Sequence, residues 1–192
     1  MKVIERNNSR EISGKNSLFF KNKNGQVWVE TVIYTLIGLS IIGMVLAFAT
    51  PKINNYKTEM LVEKSIESMT NIDLKIAEVL SAQGNQRIVD LKIGKGTLFF
   101  DLDGSKIYWI VDSSFEYSEE DTPIQVGTFT VTTKRDNEWS VTIEKNYNFV
   151  FKFDDKNEGI KELTAASTPY KLVIENAGLN EYGETIIVFR AS

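Results

Sequence analysis

Residues 23–30 read Lys23-Asn24-Gly25-Gln26-Val27-Trp28-Val29-Glu30, and TVIYTLIGLSIIGMVLAFAT follows over residues 31–50. The twenty residues from Thr31 to Thr50 carry no formal charge, and Pro51-Lys52 closes the run. As a helix rising about 1.5 Å per residue, it spans roughly 30 Å, the thickness of a bilayer's hydrocarbon core. Apolar residues, Leu36, Ile41 and Val45 among them, cover every side of that helix, so it is not an amphipathic surface helix. One carboxylate, Glu30, stands at its mouth beside Trp28, an aromatic suited to the cytoplasmic membrane interface.

The sequence before this run is basic. Residues 1–25 hold six Lys or Arg and two Glu, a net +4; the whole chain is −4, so residues 26–192 carry −8. The Lys/Arg bias places the leader in the cytoplasm and the chain beyond Pro51 outside. An acidic bulk speaks against nucleic-acid binding, which needs clustered cations to displace counterions. Cysteine and histidine are absent. That removes disulfides, the usual zinc and copper ligands, and Ser-His-Asp or Cys-His catalysis. No Gly-rich phosphate loop is present, and Glu119-Glu120-Asp121 reads as a solvated loop rather than an acid/base couple. Asp101-Leu102-Asp103-Gly104 and residues 154–159 only loosely match calcium loops, and Lys156 occupies a ligand position in the second. The chain is therefore expected not to be an enzyme and to need no cofactor.

Three readings fit the apolar run. An ordinary secretory signal would be cut near Ala47-Phe48-Ala49, but such apolar regions run about 7–15 residues. A plain signal anchor would keep the run without processing. A signal cut before the run would leave it on the mature chain, and the octet favours this last reading. Gly25-Gln26 with Glu30 resembles the class III signal of archaeal type IV pilins and related filament subunits. In that family a prepilin peptidase cuts after the glycine, glutamine often opens the mature chain, and glutamate commonly stands at its fifth position. The third and ninth mature positions, often a small polar residue and a leucine there, are Trp28 and Tyr34 here.

The resemblance implies removal of the leader 1–25 and assembly of the mature chain into a helical homo-oligomeric filament. It also implies partners: membrane lipid before assembly, the peptidase, an assembly ATPase and its membrane platform. Glu30 would pair with the new amino terminus of Gln26 on a neighbouring subunit. An α-amine has a pKa of about 7.7–8.0 and is mostly protonated near neutrality, so burying either charge alone is costly. Cyclisation of Gln26 to pyroglutamate would delete that amine. A membrane-stalked binding module, or a minor pilin outside the filament body, shares the same anchor.

Beyond Pro51, Ile53, Tyr56, Met60, Ile66, Met69, Ile72, Ile76, Val79 and Leu80 recur at mostly helical spacing, with charges between them. Gly84-Asn85 supplies a stop. A helix over residues 26–84 is expected, with its apolar stripe packed on the C-terminal domain. The period then shifts towards two. Asp103-Gly104 and Asp136-Asn137 each divide a pair of strand-like runs and predict hairpins. Runs at 148–153, 170–175 and 184–190 bring the expected strands to about seven. The expected fold is α+β: a long N-terminal helix on an antiparallel β-sandwich over residues 85–192, an architecture similar to type IV pilins.

Overall fold

The computed structural model describes the backbone of residues 23–192 and side chains from Val27 onward. Residues 1–22 of the leader, and the side chain of Gln26 at the predicted cleavage site, lie outside the described residues. One helix, α1, runs from Lys23 to Val79 with Pro51 inside it. Proline has no N–H to give the Ala47 carbonyl one turn back. By contacts, the chain divides just after Ala47.

Phe48–Ser192 forms one compact unit, which includes the second half of α1. Thr58, Val62, Ser65, Met69, Ile72, Ile76 and Val79 are buried, at alternating spacings of four and three. That is one continuous face of a helix. The five apolar members contribute on the order of 10 kcal/mol through burial, before entropy costs. Thr58 and Ser65 fit this line because their hydroxyls donate to the Asn54 and Leu61 carbonyls one turn back. The expected stripe was too broad: Ile53, Tyr56 and Met60 are exposed. Met60 lies about 160° around the helix from Val62, so its face turns away from the strands.

After α1 the chain turns at Gly84, whose φ of +81° favours glycine. Ten strands follow: β1 (Gln86–Leu91), β2 (Thr97–Asp101), β3 (Lys106–Ser113), β4 (Ile124–Val126), β5 (Phe129–Arg135), β6 (Trp139–Asn146), β7 (Val150–Phe153), β8 (Ile160–Thr164), β9 (Tyr170–Leu179) and β10 (Thr185–Ala191). They make a four-stranded sheet, β1-β9-β10-β7, and a six-stranded sheet, β4-β5-β6-β3-β2-β8. Inward residues alternate along most strands, as at Ile107, Trp109 and Val111 of β3. Phe100 of the larger sheet meets Phe153 and Phe189 of the smaller at ring-centroid distances of 5.2 and 4.9 Å. The helix side chains Val62 to Val79 join the same buried cluster.

The fold is α+β, with a mixed rather than wholly antiparallel sheet, because β10 pairs β7 in parallel. Both predicted hairpins form: β2–β3 across residues 102–105 and β5–β6 across residues 136–138. Their turn residues announce them locally, whereas β7 and β10 meet only after β8 has joined the other sheet and β9 has returned. Gly96, with φ +81°, precedes β2; a Cβ there would collide with the Ile110 carbonyl oxygen.

Candidate functional site

From Val27 to Thr50 every residue of α1 is exposed except the half-buried Gly38 and Ala49. Trp28 is 71% exposed, and Leu36, Ile41 and Val45 are exposed as well. Three hydroxyls within this stretch turn back onto the helix itself. Thr31, Thr35 and Ser40 donate their hydroxyls to the carbonyls of Val27, Thr31 and Leu36, at 3.0, 2.8 and 2.7 Å. These three hydroxyls are thereby satisfied without water, as the interior of a membrane or of a helix bundle requires. The helix is long and apolar enough to cross a membrane, and its most apolar 18 residues contribute nothing to the protein's own core. An uninterrupted apolar surface of this extent marks an interaction site. Glu30 stands at its start, one residue before Thr31.

A second cluster ties α1 to the strands. Lys145 of β6 donates to both oxygens of Asp73 at 2.6 and 2.7 Å, and Thr128 donates to the same carboxylate at 3.3 Å. The ammonium also lies over the rings of Tyr147 and Phe129, 5.2 and 5.7 Å from their centroids. Asp73, Lys145 and Tyr147 border a 350 Å3 cavity. The Tyr147 hydroxyl is buried, and no acceptor meets hydrogen-bond geometry with it. Burial first, and the charge of nearby Asp73 second, push its pKa well above the ordinary tyrosine range. Asn176 holds the helix end: its side-chain N–H donates to the Val79 carbonyl at 3.1 Å, and its Oδ1 accepts from the Gly178 N–H at 2.9 Å.

Two features flank α1. On one side a 490 Å3 groove opens between the helix and the segment running on from β1, with Lys64, Lys92 and Lys95 around it and Trp109 at its wall. On the other, the β3–β4 loop carries Glu116, Glu119, Glu120 and Asp121, in a stretch that is exposed to half-buried. Ser114 of that loop shares a 3.0 Å hydrogen bond with Thr58 of the helix, and the Asp121 N–H donates to the Thr133 carbonyl at 2.9 Å. Burial, then the Glu63 and Glu59 carboxylates of α1, raise the pKa of the loop's Tyr117.

Nothing matches this chain among family models, curated proteins or solved structures. The residues singled out in sequence thus stand on their own geometry. Glu30, Thr31, Leu36, Ile41, Val45 and Thr50 share one helix with the backbone of Gly25 and Gln26. The suspected calcium-loop carboxylates hold turns: Asp101 accepts from the Gly104 N–H at 2.9 Å and Asp103 from the Gly159 N–H at 3.0 Å. Among the described residues no group of three or more acidic side chains is placed to hold a metal. Sequence reasoning missed the Asp73–Lys145–Tyr147 cluster and Asn176. Asn176 left one signal: it takes an inward position in the alternation Leu172, Ile174, Asn176 of β9.

Proposed function

We propose that this chain is the structural subunit of a type IV pilin-like surface filament of the archaeal kind, working by assembly and not by catalysis. The observation that carries this reading is a single helix with two halves of opposite character. Its first half is apolar and exposed nearly throughout; its second half is built into the core of the β-domain. A helix half with no fully buried side chain among the described residues, its apolar run placed just after Gly25-Gln26 and Glu30, suits a segment held first by lipid and then by identical helices. The +4 leader opposes withdrawal of that segment from the membrane, and cleavage after Gly25 removes it. Moving apolar surface from lipid to protein gains little hydrophobic free energy, because lipid is already apolar. Extraction therefore calls for an ATP-driven platform, with Glu30 pairing to the freed amine of Gln26 as a check on register. The β-domain would form the filament's outer surface.

Glu30→Ala tests this in cells that make the full chain. Leader cleavage and membrane level should match the unmodified chain, while filaments disappear from electron micrographs. Normal filaments from Glu30→Ala would remove Glu30 from assembly. Surface display without filaments in either form would assign the chain to a stalked binding module instead. Mass spectrometry of the mature terminus checks the ion pair independently, since a cyclised Gln26 has no amine to offer.

A further inference from the structure

We infer that the two flanks of α1 form a head-to-tail contact between copies of this chain, with the acidic loop of one copy seated in the lysine-lined groove of the next. The inference rests on the filament reading and adds to it a specific surface on the β-domain. Glu59 and Glu63 of α1 lie on the same flank as the β3–β4 loop, beside Tyr117. Lys64 and Ser68 line the groove on the other flank. Glu63 and Ser68 stand about 140° apart around the helix, with Glu67 on the crest between them, so the two surfaces face different ways within one copy.

Charge makes the flanks complementary. Among the described residues Lys64, Lys92 and Lys95 form no ion pair, and neither do Glu59, Glu63, Glu116, Glu119, Glu120 and Asp121. Glu67 and Asp90 also border the groove, so its three lysines leave it one positive charge in excess. The opposite flank presents six carboxylates. Elsewhere this domain pairs its charges readily, as at Asp73–Lys145 and Glu175–Arg190. Two different patches that fit each other generate an open chain of subunits, not a closed dimer, unless the rotation between copies closes a ring. Complementary surface charge also sets register and excludes wrong juxtapositions. The groove has room for side chains of a loop, and the loop is pinned at Thr133 and Thr58, so it arrives already shaped.

The test uses the full chain in cells. Lys92→Glu with Lys95→Glu, and separately Glu119→Lys with Glu120→Lys, should each lower filament number by about tenfold through like-charge contact. Combining all four should restore it. The chain has no cysteine of its own, which makes a second measurement clean. Lys95→Cys together with Glu119→Cys, under mild oxidation, should give a ladder of covalent oligomers, whereas either change alone stops at dimers. The contact is overturned if the reversals leave filaments undiminished or the fourfold variant fails to recover. It is equally overturned if the double-cysteine chain forms filaments without a ladder. Absence of filaments from the unmodified chain overturns the filament reading and this contact together, which separates the two failures.

Discussion

At the scale of single residues, Tyr147 is the outlier. Its hydroxyl is buried without a hydrogen bond, beside a carboxylate already committed to Lys145 and Thr128. A buried polar group without a partner costs about 1–3 kcal/mol. Tyr147→Phe removes that atom and keeps the ring that packs against Phe151 at 5.3 Å. The change is expected to leave stability unaltered or to raise it by about 1 kcal/mol in chemical denaturation. The pH dependence has a definite sign. The folded-state pKa of Tyr147 is raised, so the unfolded chain gives up its phenolic proton first. The contribution of Tyr147 to stability is fully present below the ordinary tyrosine pKa of about 10 and is lost as pH rises beyond it. Tyr147→Phe should flatten that alkaline loss; melting curves at pH 9 and pH 11 read it directly, and identical slopes for the two chains would refute the assignment. None of this is legible in sequence. Lys145 and Tyr147 stand at the end of a strand with one residue between them, and Asp73 sits in a helix 72 residues before Lys145. Only the folded chain brings them together.

Among the elements, the second half of α1 carries the sharpest contrast. Its buried line runs through Ile72, while Met60 lies on the opposite face. Ile72→Ala should cost about 2–5 kcal/mol in detergent-solubilised protein, the range for emptying a packed core position. Met60→Ala should cost under about 0.5 kcal/mol in the same assay, as at an exposed site. Equal losses would mean that the face has been misassigned. The helix itself is legible because apolar residues recur at helical spacing; its buried face is less so, because Thr58 and Ser65 occupy core positions that composition alone would send outward. The two hairpins are legible because Asp103-Gly104 and Asp136-Asn137 carry their turn chemistry with them. Strand β4 escapes because it has three residues, and β1 and β8 because Ile88 and Ile160 face outward while Arg87 and Lys161 share the inward side, so burial alternates but hydropathy does not. The parallel partnership of β7 and β10 leaves no local mark at all.

For the whole molecule, charge and hydrophobicity are segregated along the chain and around it. The apolar half of α1 is long and apolar enough to cross a membrane, and the contact proposed between β-domains depends on charges that salt screens over about 8 Å under physiological conditions. Sequence reveals the first surface plainly, since residues 31–50 lack any charge. It hides the second, since the lysines of the groove come from α1 and from the segment after β1, and they converge only in three dimensions. The topology adds a constraint of its own. β10 lies inside the four-stranded sheet, between β9 and β7, and supplies Ile187, Val188 and Phe189 to the interior. Removing residues 185–192 should leave a chain whose β-domain a protease degrades, whereas the full chain resists; a resistant truncated chain would contradict the sheet order. Synthesis runs from the amino end, so α1 is made well before β10 exists. The insertion of β10 between β9 and β7 is thus the last event in the making of the smaller sheet. A stalled or shortened chain would carry a complete α1 and a smaller sheet left in two pieces.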